Sequence, residues 1–147
     1  MMASLRSFAA AAFAAAALAS AAPAATAQAA VSWETLAQVR LVREGARFEP
    51  RFESAVQRLN GQRVRVQGFM LPLSEGSGAQ QHFVLSAAPV ANCFYCMPGG
   101  PESMIEVRAT SAAQFSYDPV TLVGTLELLA DDPMGMYYRL REATVER

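Results

Sequence analysis

The chain has 147 residues, of which 52% are hydrophobic, and its 12 basic and 13 acidic residues give a formal net charge of −1. This near balance argues against a general nucleic-acid-binding protein, which typically carries a strongly basic surface. A single histidine also leaves little room for a Ser-His-Asp catalytic arrangement.

Residues 1–29 are typical of a secretory signal peptide. Arg6 supplies a positive charge, an Ala-rich apolar run follows, and the segment ends in Ala27-Gln28-Ala29, a small-residue cleavage pattern. The apolar run is too short and too rich in alanine for a transmembrane helix, so we predict cleavage after Ala29 and no stable membrane insertion of the mature chain. We expect a periplasmic protein in which residues 30–147 form one globular domain.

Residues 30–60 are predicted to form a helical or irregular lead-in. Apolar residues recur at helical spacing in two places, at Trp33, Leu36 and Val39 and again at Phe52, Val56 and Leu59. The stretch from residue 40 to residue 65 holds seven Arg and three Glu. Because the two signs are interleaved, a solvated surface is favoured there over a nucleic-acid site.

After Gly61 the apolar residues alternate with polar ones, which is typical of β-strands. We predict five strands, within residues 63–70, 82–85, 104–109, 120–128 and 137–145. Gly124 indicates a close backbone approach or a bulge, and the apolar face of the last strand switches between Leu140 and Ala143, which indicates another bulge.

These strands predict a mainly β fold over residues 61–147. The favoured architecture is a small five-stranded antiparallel barrel of the OB-like type, with an open sandwich as the alternative. In an OB-fold a helix usually joins the third and fourth strands, and only residues 111–118 could supply it here. Asp131 to Gly135 is predicted to be a tight connection.

Cys93 and Cys96 lie in the stretch of the chain best suited to chemistry, a turn-rich loop that runs to Pro101. Three interpretations stay open: a structural disulfide in an oxidising compartment, a zinc or copper site, and a thiol-disulfide redox pair. The candidate metal ligands are Cys93, Cys96, Met97 and His82. Since no helix start follows the second cysteine and no paired carboxylates are indicated, we assign no catalytic residues and expect a non-enzymatic protein.

The segment from residue 61 to residue 73 resembles the opening motif of an uncharacterised bacterial exported family. That motif is a Val-x-Val-x-Gly-Phe-Met strand followed by Pro-Leu, and its most specific positions here are Gly68, Phe69, Met70, Pro72 and Leu73. A Phe-x-Leu strand, a cysteine-containing Pro-rich loop and a Val-x-Val-type strand follow, so the resemblance spans roughly residues 33–145. Many relatives have adjacent cysteines, or a cysteine with a nearby histidine, whereas this chain has Cys-x-x-Cys.

The resemblance implies a periplasmic accessory or binding protein. Its partner would be a metal ion or a component of a membrane transporter, because such proteins tend to be encoded beside transport systems. Two alternatives remain: a redox protein that uses Cys93 and Cys96, and an interaction module in which a disulfide only shapes the loop.

Overall fold

The computed structural model describes residues 28–73, 78–89 and 99–146. The elements in chain order are β1 (Ala29–Ala30), α1 (Trp33–Leu36), β2 (Val39–Glu44), β3 (Arg47–Phe52), α2 (Ser54–Gln57), β4 (Arg63–Pro72), β5 (Ala79–Ser86), a 3₁₀ turn (Pro101–Ser103), β6 (Met104–Gln114), β7 (Val120–Leu128) and β8 (Tyr138–Val145). Within the described ranges, no helix is long and apolar enough to cross a membrane. The predicted signal peptide lies outside them, except for its last two residues.

Five strands close into a barrel. They lie side by side in the order β4, β5, β6, β8 and β7, and β7 pairs in turn with β4. The predicted mainly β fold with a five-stranded barrel is therefore confirmed, and the open sandwich is not formed. The prediction of antiparallel pairing throughout needs one correction, because β6 and β8 run parallel. An odd number of strands cannot close a barrel with every neighbouring pair antiparallel.

Strand β4 closes the barrel by pairing with a different neighbour along each of its two halves, and the change of partner occurs at Gly68. Arg63 to Gly68 pair with β7, whereas Phe69 to Pro72 pair with β5. A Cβ atom on Gly68 would lie 2.6 Å from the carbonyl oxygen of Ser86 and 2.9 Å from Cγ of Leu85. Only glycine fits this approach between β4 and β5.

The two predicted irregularities in the last strands are confirmed. A Cβ on Gly124 would lie 2.8 Å from the carbonyl oxygen of Arg141, and the β7–β8 register shifts at this point. In β8 the register against β6 steps from Leu140 to Ala143 while the partner strand advances by only two residues. The extra residue, Glu142, has φ +51°, so it forms the bulge.

The barrel interior is lined by the apolar residues that the alternation places on one face of each strand. The largest fully buried members are Tyr138, Phe83, Leu85, Ile105, Leu122, Leu126 and Leu140. No helix joins β6 to β7, because β6 continues to Gln114 and the described residues between the two strands are irregular. The possible helical turn within residues 111–118 is therefore not formed.

The lead-in differs from its prediction. It contains helices α1 and α2, but residues 39–52 form a two-stranded antiparallel hairpin of β2 and β3. The expected helical spacing from Trp33 does not reach Val39, since α1 ends at Leu36. Polar and apolar residues alternate strictly in β3, but in β2 the alternation breaks at Val42 and Arg43, so only half of the hairpin shows a strand pattern in the sequence.

The lead-in is fastened to the barrel by polar contacts as well as by burial. The hydroxyl of Tyr138 donates a hydrogen bond to the carbonyl oxygen of Leu36 at 2.5 Å. The Trp33 indole Nε1 donates to the carbonyl oxygen of Gln67 at 2.7 Å. The ring of Phe52, at the end of β3, packs against Tyr138 with a centroid distance of 5.8 Å. The lead-in therefore covers part of the barrel with specific contacts.

Candidate functional site

Cys93, Cys96 and Met97 lie outside the described residues, but both ends of their segment are described. The backbone N–H of Ala87, just after β5, donates to the carbonyl oxygen of Ser103 at 3.0 Å. That bond joins the chain entering the segment to the chain leaving it. Whatever the cysteines do, they are carried between two fixed points on neighbouring strands β5 and β6.

Both anchor points are further braced by serine side chains. Ser86, which is fully buried, donates from Oγ to the carbonyl oxygen of Ala88 at 2.9 Å. Ser103 donates from Oγ to the carbonyl oxygen of Gly100 at 2.7 Å. These side chains bond to backbone groups that have no partner in a strand, so they hold the turns at the base of the loop.

The motif strand lies against this base. Phe69 pairs with Ser86, and Gly68 approaches both Ser86 and the ring of Trp33, whose Cζ2 would be 3.1 Å from an added Cβ. Met70 is buried in the core, whereas Leu73 is 56% exposed. The glycine of the motif thus serves close packing beneath the loop base, and Met70 serves the core.

His82 lies on β5, four residues before Ser86, which corresponds to about 13 Å along a strand. Its Nε2 lies 2.8 Å from Oε1 of Glu106, on the neighbouring strand β6. The predicted role of His82 as a metal ligand stays a prediction, because the cysteines are not described. In the structure the partner of this nitrogen is a carboxylate.

Glu106 is the centre of a cluster of charges on the outer face of the barrel. Its side chain is only 11% exposed, and three cationic or potentially cationic side chains surround it. Arg139, from β8, donates from Nε to Oε2 at 2.6 Å, while Arg108 donates from Nη2 to Oε1 at 2.6 Å and His82 contacts the same oxygen. Both carboxylate oxygens are therefore used.

Electrostatics keep this buried carboxylate ionised. Burial by itself raises the pKa of Glu106, but hydrogen bonds from Arg139, Arg108 and His82 outweigh burial, and the net pKa lies below its ordinary value of 4.5. Arg139 also reaches Glu127 at 3.6 Å, so the ion pairs continue across β8 to β7. The cluster links four neighbouring strands of the barrel.

The cluster is suited to holding strands together and offers no coordination site. Among the described residues, no group of three or more His, Cys, Asp or Glu side chains is placed to hold a metal ion. Sequence reasoning missed the cluster. The alternation of Glu106 and Arg108 on one strand face was a signal, but Arg139 joins them only through the parallel β6–β8 register.

A small open cleft of about 100 Å³ lies between the hairpin and the β7–β8 connection. Phe48 and Pro50 form one wall, and Met136 and Tyr137 form part of the other. The connection is a tight turn, as predicted, because Asp132 Oδ2 accepts hydrogen bonds from the backbone N–H groups of Met134 and Met136. The cleft is too small to enclose a typical metabolite.

The sequence matches a family model described as "Protein of unknown function (DUF3299)" over residues 17–147. The chain belongs to the DUF3299 family. The predicted resemblance to a domain of unknown function is thereby confirmed, whereas the exported location, the strand motif and the association with transport stay predictions.

Among solved structures, a DUF3299 family protein from Pseudomonas aeruginosa PAO1 is similar to this DUF3299 member, with 16% sequence identity. The alignment covers 82% of this chain and 97% of that chain, with a TM-score of 0.49. The search of curated proteins found no significant match.

Proposed function

We propose that the protein is a non-enzymatic, periplasmic accessory or binding protein, and that the segment carrying Cys93 and Cys96 is its binding element. The observation that carries this proposal is the anchoring of that segment. Its two ends are tied together by the bond from Ala87 to Ser103, above a packed base that contains Gly68 and Trp33. A fixed scaffold that carries a loop is the usual arrangement of a binding site in a small domain.

The strand order supports the proposal. Counted from β4, the barrel strands are arranged 1-2-3-5-4, with the third and fifth parallel. We propose that this barrel is OB-like, although no helix joins its third and fourth strands. OB-folds bind their ligands on the face of the second and third strands and with the loops that join strands 1 and 2 and strands 4 and 5. The cysteine segment connects the second and third barrel strands, so in such a barrel it is continuous with both strands of the ligand-binding face.

The chemistry of the donors favours a soft metal ion as the ligand. Two cysteines and Met97 within five consecutive residues offer two thiolates and a thioether, which suit Cu(I) and, for the thiolates, zinc. A contribution from His82 would require its Nε2 to leave Glu106. A transporter component would then be the partner that delivers or receives the ion.

The experiment is intact mass spectrometry of the full chain, exported and purified from the periplasm, under native and denaturing conditions and after thiol alkylation. A native mass excess that matches zinc or copper, with both thiols alkylated after denaturation, is the expected result. Cys93→Ser and Cys96→Ser should each abolish the excess, whereas Met134→Leu, at a methionine 84% exposed on another loop, should not.

Two other results would replace the proposal. A mass lower by two hydrogens, with no alkylation and no metal, means a closed disulfide and a loop that acts only through its shape. A disulfide that exchanges readily with a thiol buffer near neutral pH, with an oxidising reduction potential, means a redox protein. In the first case, replacement of Phe94 or Tyr95 by alanine should release a protein partner.

A further inference from the structure

The β2–β3 hairpin stands apart from the barrel sheet, and its two edges differ. Glu44 and Arg47 close a two-residue turn in which Gly45 has φ +62°, as a type II′ turn requires at its first central position. The closing pair of such a turn is hydrogen-bonded, and the pairs then alternate along the ladder. The bond from the N–H of Glu53 to the carbonyl oxygen of Gln38, at 3.0 Å, lies on the same alternation and confirms it.

This alternation determines which backbone groups point outward. Leu41 and Arg43 on β2 direct their N–H and C=O groups away from β3, and Phe48 and Pro50 on β3 direct theirs away from β2. Proline has no N–H to donate, so Pro50 blocks the β3 edge against another strand. Phe48 and Pro50 also form the wall of the cleft. The β2 edge contains no proline.

The open edge carries exposed apolar side chains. Leu41 is 59% exposed and Val42 is 40% exposed, on opposite faces of β2, and Phe48 is 67% exposed on the same face as Leu41. Within the described part of the chain, no strand pairs with the outer edge of β2. An edge without proline that carries apolar side chains on both faces is a template for the addition of a strand whose charges complement its own.

One antiparallel register of a second copy of β2 on this edge brings opposite charges together at two positions. With Val42 opposite Val42 of the second copy, Leu41 and Arg43 form the hydrogen-bonded pairs on the outward-facing groups. The same register sets Arg40 opposite the second copy's Glu44, and Glu44 opposite its Arg40. The charges are then complementary at both symmetry-related positions. A shift that centres the pairing on Arg43 would set two like charges against each other.

We propose that the protein forms a symmetric homodimer through the β2 edge, in the register that places Val42 at the two-fold axis. The two hairpins then make a four-stranded antiparallel sheet whose outer edges are both protected by Pro50. The outward-facing backbone groups of Leu41 and Arg43 then form hydrogen bonds with Arg43 and Leu41 of the second copy. Leu41 and Phe48 of both copies lie on the same face of the four-stranded sheet. The interface is isologous, so it closes at two copies and does not propagate.

The test uses charge reversal at the two complementary positions, followed by sedimentation velocity over a range of concentrations. Arg40→Glu alone sets Glu opposite Glu at both positions, and Glu44→Arg alone sets Arg opposite Arg. Each variant should dimerise about tenfold more weakly than the unchanged chain. An equal mixture of the two variants should dimerise as well as the unchanged chain, because each copy then meets its complement.

Controls separate association from folding. The ion pairs that these variants break, Arg40–Glu53 and Arg51–Glu44, are solvent-exposed. At concentrations low enough for every sample to be monomeric, the thermal unfolding midpoints of the variants should therefore stay close to that of the unchanged chain. Arg58→Glu makes the same change in net charge as Arg40→Glu at an exposed residue directly after α2, and it should leave dimerisation intact. A monomeric unchanged chain at every concentration would overturn the proposal, and so would a mixture that associates no better than either variant alone.

Discussion

The charge of Glu106 should contribute measurably to folding, and Glu106→Gln tests this. Glutamine keeps the shape of the side chain but replaces one acceptor oxygen by an N–H₂ group, which would face a guanidinium donor from Arg139 or Arg108. In the unchanged protein, both oxygens of the carboxylate accept charge-assisted hydrogen bonds of 2.6 Å. Because the side chain is only 11% exposed, water cannot replace these bonds.

The expected loss is about 2–3 kcal/mol in the free energy of unfolding at neutral pH. Hydrogen bonds to charged groups are worth about 1.5–3 kcal/mol, and removal of one partner from a fully buried ion pair costs about 3–5 kcal/mol. Arg139 and Arg108 retain some access to water, with side chains 27% and 53% exposed, so the loss should fall below the second range. Urea unfolding followed by circular dichroism measures it.

The dependence on pH gives a sharper test of the cause. The folded pKa of Glu106 is lowered, so its contribution is present above the ordinary value of 4.5 and is lost as the pH falls through the folded pKa. The difference between the two proteins should therefore shrink toward acid pH, where the carboxyl is protonated in both. Glu53→Gln, which removes the exposed pair with Arg40, should cost at most about 1 kcal/mol. A difference that is the same at acid and neutral pH would show that shape, and not charge, was lost.

Two further changes test the packing beneath the cysteine segment and the attachment of the lead-in. Gly68→Ala should destabilise the fold by about 2–4 kcal/mol in urea unfolding, because the added Cβ would lie 2.6 Å from the carbonyl oxygen of Ser86. Gly78→Ala is the control and should be nearly neutral, because a Cβ there meets nothing within 4 Å. Equal effects of the two changes would contradict the close approach at Gly68. Tyr138→Phe should lower the free energy of unfolding by about 1–2 kcal/mol, since it removes the donor to the carbonyl oxygen of Leu36 while the ring stays buried. An unchanged unfolding curve would mean that this bond does not hold the lead-in in place.

The barrel strands could be predicted from the sequence because burial dictates their pattern. Alternation over Arg63 to Gln67 and from Val120 to Leu128 follows from one face of each strand lining the core. The bulge between Leu140 and Ala143 was visible for the same reason, since the apolar face changes sides there. The strand order could not be predicted from the sequence, because nothing in the sequence of β6 or of β8 by itself indicates that these two strands pair in parallel.

The Glu106 cluster and the hairpin were missed for related reasons. Glu106 is opposite Arg139 only once β6 and β8 are in register, so the cluster is a property of the pairing. In the hairpin only β3 alternates strictly, whereas β2 breaks the alternation at Val42 and Arg43, which are both exposed. Where the core does not constrain a segment, the sequence pattern records solvent exposure and charge and says little about the backbone.

The barrel and the hairpin should respond differently to substitution, so variants of the two regions test different properties. Gly68 and Glu106 hold the barrel together, so their variants should change unfolding in the monomer and the dimer alike. Arg40 and Glu44 are exposed on the hairpin and pair with other exposed side chains, so their reversal should change association and leave the unfolding of the monomer almost unchanged. If Arg40→Glu lowered the unfolding midpoint of a monomeric sample as much as Glu106→Gln does, the hairpin would be part of the folding unit of the barrel. The β2 edge would then not be free to pair with a second copy.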